Sequence, residues 1–412
     1  MREILKSIDQ KKLGRKLQTH RKTRGLTQQE VADRLAIART TLTAIEKGER
    51  LIRPDELMDL SKLYNEPVNR LLRQDANTEP FAVQFRAALV QTEESDLELT
   101  IQEFQKLCED YQHLEQLTAT PLPRKYPPEY VINNLDPLRR AEDIASLERN
   151  RLGLGDGVIT NLKSMLENEI GIRIFGMPLP SRIAGLFAFT EQLGACVATN
   201  TRHPKDRQLM SSIHEYAHFL TTRSKADIVI LRTNPRMSAI EHFADAFARF
   251  FLMPSSDLQR RFHEIKNLKN GNVTAADLLA LADFYSVSFQ ALILRLEELR
   301  LLRPGTWNRL MNEDFQVRKA QEMSGIISKI GSSQFELPYR YRALAVQAYE
   351  TGDISEGQLA RLLRTDRVRA RELVEQFISR DTISDDGEAF PVLFNSLSQP
   401  ITEVAQAALG RD

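Results

Sequence analysis

Apolar residues recur at three- and four-residue spacing along most of the chain, a pattern that predicts a mainly helical protein. Between residues 13 and 73 the periodic stretches are short and separated by tight turns. Thr27 followed by Glu30 predicts a capping box, in which hydroxyl and carboxylate satisfy free backbone amides and start a helix. That helix would bury Val31, Ala32 and Leu35, and the small Ala32 would let a second helix cross closely. A turn through residues 36–38 leads to a helix over residues 39–47, with Leu42 and Ile45 inward and Gln28, Arg39, Thr40, Thr41 and Thr43 outward.

Further on, the spacing of Phe81, Phe85, Leu89, Leu97, Ile101, Phe104, Leu107 and Tyr111 predicts a connecting or dimerising helical segment. Prolines cluster at residues 120–130, where fixed φ angles and missing amide donors discourage regular structure, and the main domain boundary is expected there. From residue 140 the pattern becomes mixed, with a helix near 140–151, a glycine-rich turn at 153–157, a helix to about 169 and short β-like runs at 172–175, 183–189 and 195–199. The turn is no phosphate loop, because no Lys-Ser/Thr pair follows it. Beyond residue 206 the pattern is helical, and two capped units recur, at 273–302 with Thr274, Asp277, Ser286 and Ser288 and at 337–377 with Ser355 and Gln358. Both resemble helix-turn-helix variants and are read first as packing modules. The expected class is mainly α (α+β), divided into 1–75, a helical linker or dimerisation segment 76–130, a central domain 131–265 with a small sheet, a helical subdomain 266–310 and a C-terminal helical domain 311–412.

Charge adds direction to this pattern. The formal net charge is zero, yet residues 1–73 hold 17 Lys/Arg against 10 Asp/Glu, an excess of +7 that the remainder balances with −7. Such asymmetry suits a nucleic-acid-binding end, with Lys16, Arg21, Lys22 and Lys47 as phosphate contacts and Gln28, Arg39, Thr40, Thr41 and Thr43 reaching into a major groove. The segments LTQQEVADRLAI and TLTAIEKGER, with Leu57, Leu60, Leu63 and Tyr64, closely resemble the Xre/Cro-type repressor family. The resemblance implies a five-helix fold that reads a double-stranded DNA operator as a homodimer. One departure is Ala38, where that family often places a capping Ser or Thr. Hydrophobic content of 42% and charged content of 27% are ordinary for a soluble globular chain. Cys108 and Cys196 lie in unrelated contexts, which argues against a disulfide framework and fits a reducing cytoplasm. No apolar run approaches the roughly 18 residues of a membrane span, so a cytoplasmic location without a membrane partner is expected.

The strongest chemical signal is His214-Glu215-Tyr216-Ala217-His218. On a helix, imidazoles four residues apart share one face and can converge on one Zn²⁺, leaving Glu215 beside the water it would deprotonate. A third ligand is expected from Glu241, with Ala244 and Ala248 on nearly the same face and Asp245 one turn on, placed to accept the free ring N–H of a liganding histidine. His242 points elsewhere on the helical wheel. A group to stabilise the carbonyl oxygen is not identified, and Tyr216, His242, His263 and Tyr285 stay open.

LGACVATN, HEYAHFL and EHFADAFARFFLMP occur in an order that resembles the ImmA/IrrE family of metallopeptidase-like proteins over roughly residues 160–300. The resemblance implies a zincin-like core with His214, His218 and Glu241 as metal ligands and Glu215 as general base; the Asn familiar in the glutamate-bearing helix is Asp245 here. Zinc is the expected metal, with manganese as the alternative. The implied function is a DNA-binding regulator that cleaves a partner repressor, an antitoxin-like protein or itself, around 74–80 or 118–128, in a stress or phage-related response. The competing reading is a non-catalytic repressor whose metallopeptidase-like domain senses an effector or a metal.

Overall fold

Capped short helices build the first part of the chain. The computed structural model describes residues 9–64, 68–72, 81, 85, 97–132, 136–223, 227–230, 238–326, 331–378, 381–383 and 389–391, and the chain divides into two units, Met1–Thr78 and Glu79–Asp412. In the first unit, α1 (Gln10–Thr23) starts at Asp9, whose carboxylate accepts from the amides of Lys11 and Lys12. It is followed by α2 (Gln28–Arg34), α3 (Arg39–Lys47), α4 (Pro54–Tyr64) and α5 (Val68–Leu72). The Thr27–Glu30 capping box forms as expected, whereas Ala38 makes no side-chain cap for α3. Leu17, Val31, Ala32, Leu42, Ile45, Leu57 and Leu60 close one core. Gly14 lets α1 and α3 touch through backbone, since a Cβ there would lie 2.4 Å from the Ile45 carbonyl oxygen.

The second unit is built around a four-stranded sheet. Helix α6 (Leu97–Leu117) precedes α7 (Pro137–Arg151), which Asp136 caps, and α8 (Leu162–Met165), which runs into a π turn, Leu166–Ile170. Next come β1 (Arg173–Met177), β2 (Ile183–Thr190), β3 (Gly194–Asn200), α9 (Lys205–Thr221), β4 (Asp227–Ile230) and α10 (Ala239–Leu252). The strand order is β1-β3-β2-β4. β1 and β3 run parallel, and the other pairs are antiparallel. β1 and β3 are buried along their whole length, because side chains on opposite faces enter two different cores. Ile174, Phe187 and Val197 join α7, α9 and α10 on one face, while Phe175, Leu186 and Ala198 join α6 on the other. Strands covered on both faces read as continuous apolar runs, which is why three of the four are visible in the sequence.

Packing within the chain accounts for the apolar spacing of α6. Leu97, Ile101, Phe104, Leu107 and Tyr111 are all fully buried against the sheet and a later helix, as are Phe81 and Phe85; Leu89 lies outside the described residues. The proline-rich stretch forms no helix or strand, yet it is strapped to the unit. The Lys125 amide donates to Ile170, that of Tyr130 donates to Leu220, and the Tyr126 hydroxyl donates to the Gly171 carbonyl. Cys108 on α6 and Cys196 on β3, remote in sequence and expected to be unrelated, are both buried in the one core where that helix packs on the sheet.

The helical remainder comprises α11 (Ser255–Leu268), α12 (Ala275–Phe284), α13 (Phe289–Glu298), α14 (Thr306–Asn312), α15 (Val317–Met323), α16 (Tyr339–Glu350), α17 (Glu356–Leu362) and α18 (Arg367–Ile378), then a hairpin of β5 (Asp381–Ile383) and β6 (Ala389–Pro391). Capping boxes form at Thr274–Asp277 and Ser355–Gln358. α12 and α13 enter the core that holds α9 and α10, whereas α16 to α18 enter the one that holds α6. Residues 130, 265 and 310 therefore all fall inside one unit. Among the described residues, no single helix is long and apolar enough to cross a membrane.

Candidate metal centre

Every residue of α9 from Ser211 to Leu220 is buried, so the helix presents chemistry to the protein interior on all sides. One side meets the sheet, where β2 passes with Gly185 against Glu215. A Cβ on Gly185 would lie 2.5 Å from Glu215 Oε1, so only glycine leaves the carboxylate where it is. The β2–β4 pairing slips between Ile183 and Gly185, a local irregularity of the kind that re-aims backbone next to a site. Glu215 itself is fully buried.

Another side of α9 meets α10. Ser238 caps α10 by accepting from the Glu241 amide, which sets Glu241 in its first turn. Ala244 and Ala248 are fully buried, and their small side chains let α9 and α10 approach. His214 Nε2 and His218 Nε2 lie 3.0 Å apart. Glu241 Oε2 is 3.4 Å from His214 Nε2, and Glu241 Oε1 is 3.4 Å from His218 Nε2. Donor atoms of all three residues lie within 4.8 Å of one another. Ligands held at ordinary zinc distances around a tetrahedral ion are about 3.3–3.5 Å apart; the two contacts to Glu241 fall in that range, and the imidazole nitrogens, slightly closer, need to part by a few tenths of an ångström to hold one zinc-sized cation.

His214 Nδ1 lies 2.8 Å from Asp245 Oδ1. With a carboxylate as its acceptor, Nδ1 keeps a proton, so Nε2 is the nitrogen whose proton a cation would displace. Burial alone would hold this imidazole neutral, but hydrogen bonds to Asp245 and Glu241 and the charge of Glu215 outweigh it and push its pKa up to about 10. The same concentration of negative charge that holds a proton there favours a divalent cation.

The hydroxyls left open as stabilisers of a carbonyl oxygen are engaged elsewhere. Tyr216 donates to Glu148 and accepts from Arg151, in a buried cluster that Tyr130 also joins. Tyr285 donates to Asp257 over 2.6 Å. His263 is exposed on α11, with Nδ1 against the Gln259 carbonyl, and His242 is exposed beside Glu241. Gly185 was not singled out in the sequence, although an isolated glycine in a strand-like run signals close backbone approach.

In the first unit Arg39, Thr40 and Lys47 are exposed, while Gln28, Thr41 and Thr43 are half-buried. The Gln28 amide donates inward to Glu46 over 2.8 Å. Arg21 corrects an expectation: it is not a phosphate contact but is buried in a bidentate ion pair with Glu46, at 2.6 and 3.1 Å. Helical spacing from Leu17 puts Arg21 on the core face, and the acidic partner one helix away decides its role.

Residues 17–71 match the family model described as helix-turn-helix, and residues 167–297 match that of the IrrE N-terminal-like domain, Peptidase M78. No curated protein matches the chain. Two solved structures are similar at low identity. PlcR of Bacillus thuringiensis, in complex with the peptide PapR7 and DNA, is 13% identical with a TM-score of 0.16, over 98% of this chain and 100% of that one. ComR of Streptococcus suis is 10% identical with a TM-score of 0.16, over 90% of each chain. Scores of that size do not match the folds element by element. The chain joins an Xre-type helix-turn-helix domain to an M78-peptidase-like domain of the IrrE/ImmA type.

Proposed function

We propose that the protein is a DNA-binding transcriptional regulator that is also a metal-dependent endopeptidase, with His214, His218 and Glu241 as metal ligands and Glu215 as general base. The observation that carries this reading is the convergence of two Nε2 atoms and one carboxylate, from α9 and α10, with ligand atoms within 4.8 Å of one another. Zinc held there supplies Lewis acidity toward water and a peptide carbonyl, and manganese is the alternative ion. The chain's own residues do the rest. Asp245 fixes the ring of His214, and α10 carries Glu241 to the imidazole pair. Glu215 lies on the same helix, confined against β2, where its carboxylate would accept a proton from attacking water and return it to the leaving amine.

A buried carboxylate beside such a donor set supports a catalytic rather than a structural ion, since a structural zinc has no use for a base. The peptide substrate would be a partner repressor, an antitoxin-like protein or the chain itself, in a stress or phage-related response. In the last case the stretches around 74–80 and 118–128 are the expected sites; the former lies outside the described residues. α3 would read a double-stranded operator through Arg39, Thr40, Thr41 and Thr43, with Lys47 on phosphate and Gln28 supporting it, in a homodimer.

The test pairs metal analysis with cleavage. Purified full-length protein should hold one zinc per chain and cleave a neighbouring gene product or itself. Glu215→Gln should keep the metal and lose cleavage by at least a hundredfold. If Glu215→Gln leaves regulation in the cell unchanged and neither form cuts any candidate, the site is a sensor and the peptidase reading is wrong.

A further inference from the structure

Helices α17 and α18 repeat the geometry of α2 and α3 position by position. In the first unit a Thr27 capping box starts the seven-residue α2, Leu35 ends it, Ala36 takes a left-handed φ of 51° and α3 starts at Arg39. In the second unit a Ser355 capping box starts the seven-residue α17, Leu363 ends it, Arg364 takes a left-handed φ of 56° and α18 starts at Arg367. Each feature lies 328 positions after its counterpart. The interior follows the same register. Val31, Ala32 and Leu42 are buried in one unit and Leu359, Ala360 and Ala370 in the other. Equal helix length, equal turn and equal buried positions place the outward face of α18 where α3 has its own. Arg367, Val368, Arg369 and Arg371 therefore stand at the positions of Arg39, Thr40, Thr41 and Thr43.

The unit formed by α12 and α13 shows what a packing version of this motif looks like. It too has a capping box, at Thr274, and a left-handed residue, Ser286 with φ 53°, before its second helix. There Phe289 and Ile293, at the positions of Arg39 and Thr43, are buried in the core. In α18 the corresponding residues are all exposed, and Val368 is 66% exposed between arginines. Arg369 pairs with Glu372 and Arg371 with Glu356, each pair at the surface. Surface pairs of this kind contribute little and yield readily to phosphate.

We infer that α16 to α18 form a second DNA-reading helix-turn-helix, in which α18 enters the major groove of duplex DNA with its three arginines on phosphates and guanine edges and Val368 against a thymine methyl. Arg367 and Arg371 share one side of α18 and Arg369 is exposed on the other side of Val368, so cations flank an apolar contact as the two walls and floor of a major groove accept.

The experiment uses the full-length chain carrying Arg39→Ala and Lys47→Ala, so that α3 contributes little, and a labelled 40-base-pair duplex pool of random sequence. Binding is followed by fluorescence anisotropy between 50 and 200 mM salt. The parent should bind. Adding Arg367→Ala, Arg369→Ala and Arg371→Ala should weaken binding at least tenfold at 100 mM salt and lower the log–log salt slope by about 1–3, since each neutralised phosphate contributes about 0.9. The corresponding triple lysine variant should restore most of the slope, which separates lost charge from lost folding. A photo-crosslinking residue at Val368 should capture duplex. A parent that binds no duplex, a triple alanine variant with unchanged affinity and slope, or crosslinks only to a second copy of the chain would each overturn the inference.

Discussion

Gly185 and Glu215 form a pair in which one residue's missing side chain determines where the other's carboxylate can sit. Gly185→Ala should displace that carboxylate, so cleavage should fall at least tenfold while zinc content, measured on the same sample, stays at the level of the unmodified chain. Glu167 shows a different consequence of burial. Removal from water pushes its pKa up to about 7, against the opposing effects of the Tyr111 hydroxyl and Arg340. A carboxyl whose folded pKa is raised stabilises the fold fully below its unfolded pKa and loses that contribution as pH rises through 7. The cost of ionising it in place is roughly 3 kcal/mol. Glu167→Gln should therefore raise the melting temperature at pH 8 and change it little at pH 5, whereas an equal shift at both pH values would contradict the assignment. Residues of the candidate site differ in how legible they were. His214 with His218, and Glu241 with Asp245, each follow from helical periodicity within a short segment, whereas joining the two pairs rests on the need for a third ligand and on the family resemblance. Gly185 follows only from the register between a strand and a helix thirty residues away in sequence, which no local pattern encodes.

Among elements, the metal cluster depends on how closely α9 and α10 can run. Ala244→Leu should force them apart, lowering stability by about 1–3 kcal/mol and releasing zinc, with melting and metal content as the measurements. Asp245→Ala should keep the fold and weaken zinc binding about 10–100-fold, as loss of an orienting acceptor does. In the first unit, Arg21→Ala leaves the Glu46 carboxylate buried without its cation. A loss of about 3–5 kcal/mol is expected in chemical denaturation, whereas a phosphate-contact role would predict unchanged stability. Capping pairs made the starts of α2, α12 and α17 readable, because each is a contact between residues three apart. β4 is only four residues long and is defined by its pairing with β2, so nothing local announced it. The prolines at 120–130 correctly indicated an absence of regular structure, but their amide and hydroxyl contacts to distant carbonyls depend on the folded sheet.

At the scale of the whole molecule, one chain carries a basic helix-turn-helix unit and a larger unit with a candidate metal site between two of its helices. The charge asymmetry between the first 73 residues and the rest gave this division a physical signature before any coordinates. The internal repetition between α2–α3 and α17–α18 was half legible. The caps were visible, but whether the second helix faces core or solvent depends on which sheet face its neighbours cover. Everything proposed for catalysis depends on His214, His218 and Glu241 sharing one ion, and X-ray absorption at the zinc edge of the full-length, zinc-loaded protein tests that most directly. Two imidazole nitrogens and carboxylate oxygen are expected at about 2.0–2.2 Å, with the imidazole contribution reduced to a single ring in His218→Ala. Sulfur scattering near 2.3 Å, or a shell without imidazole, would contradict it.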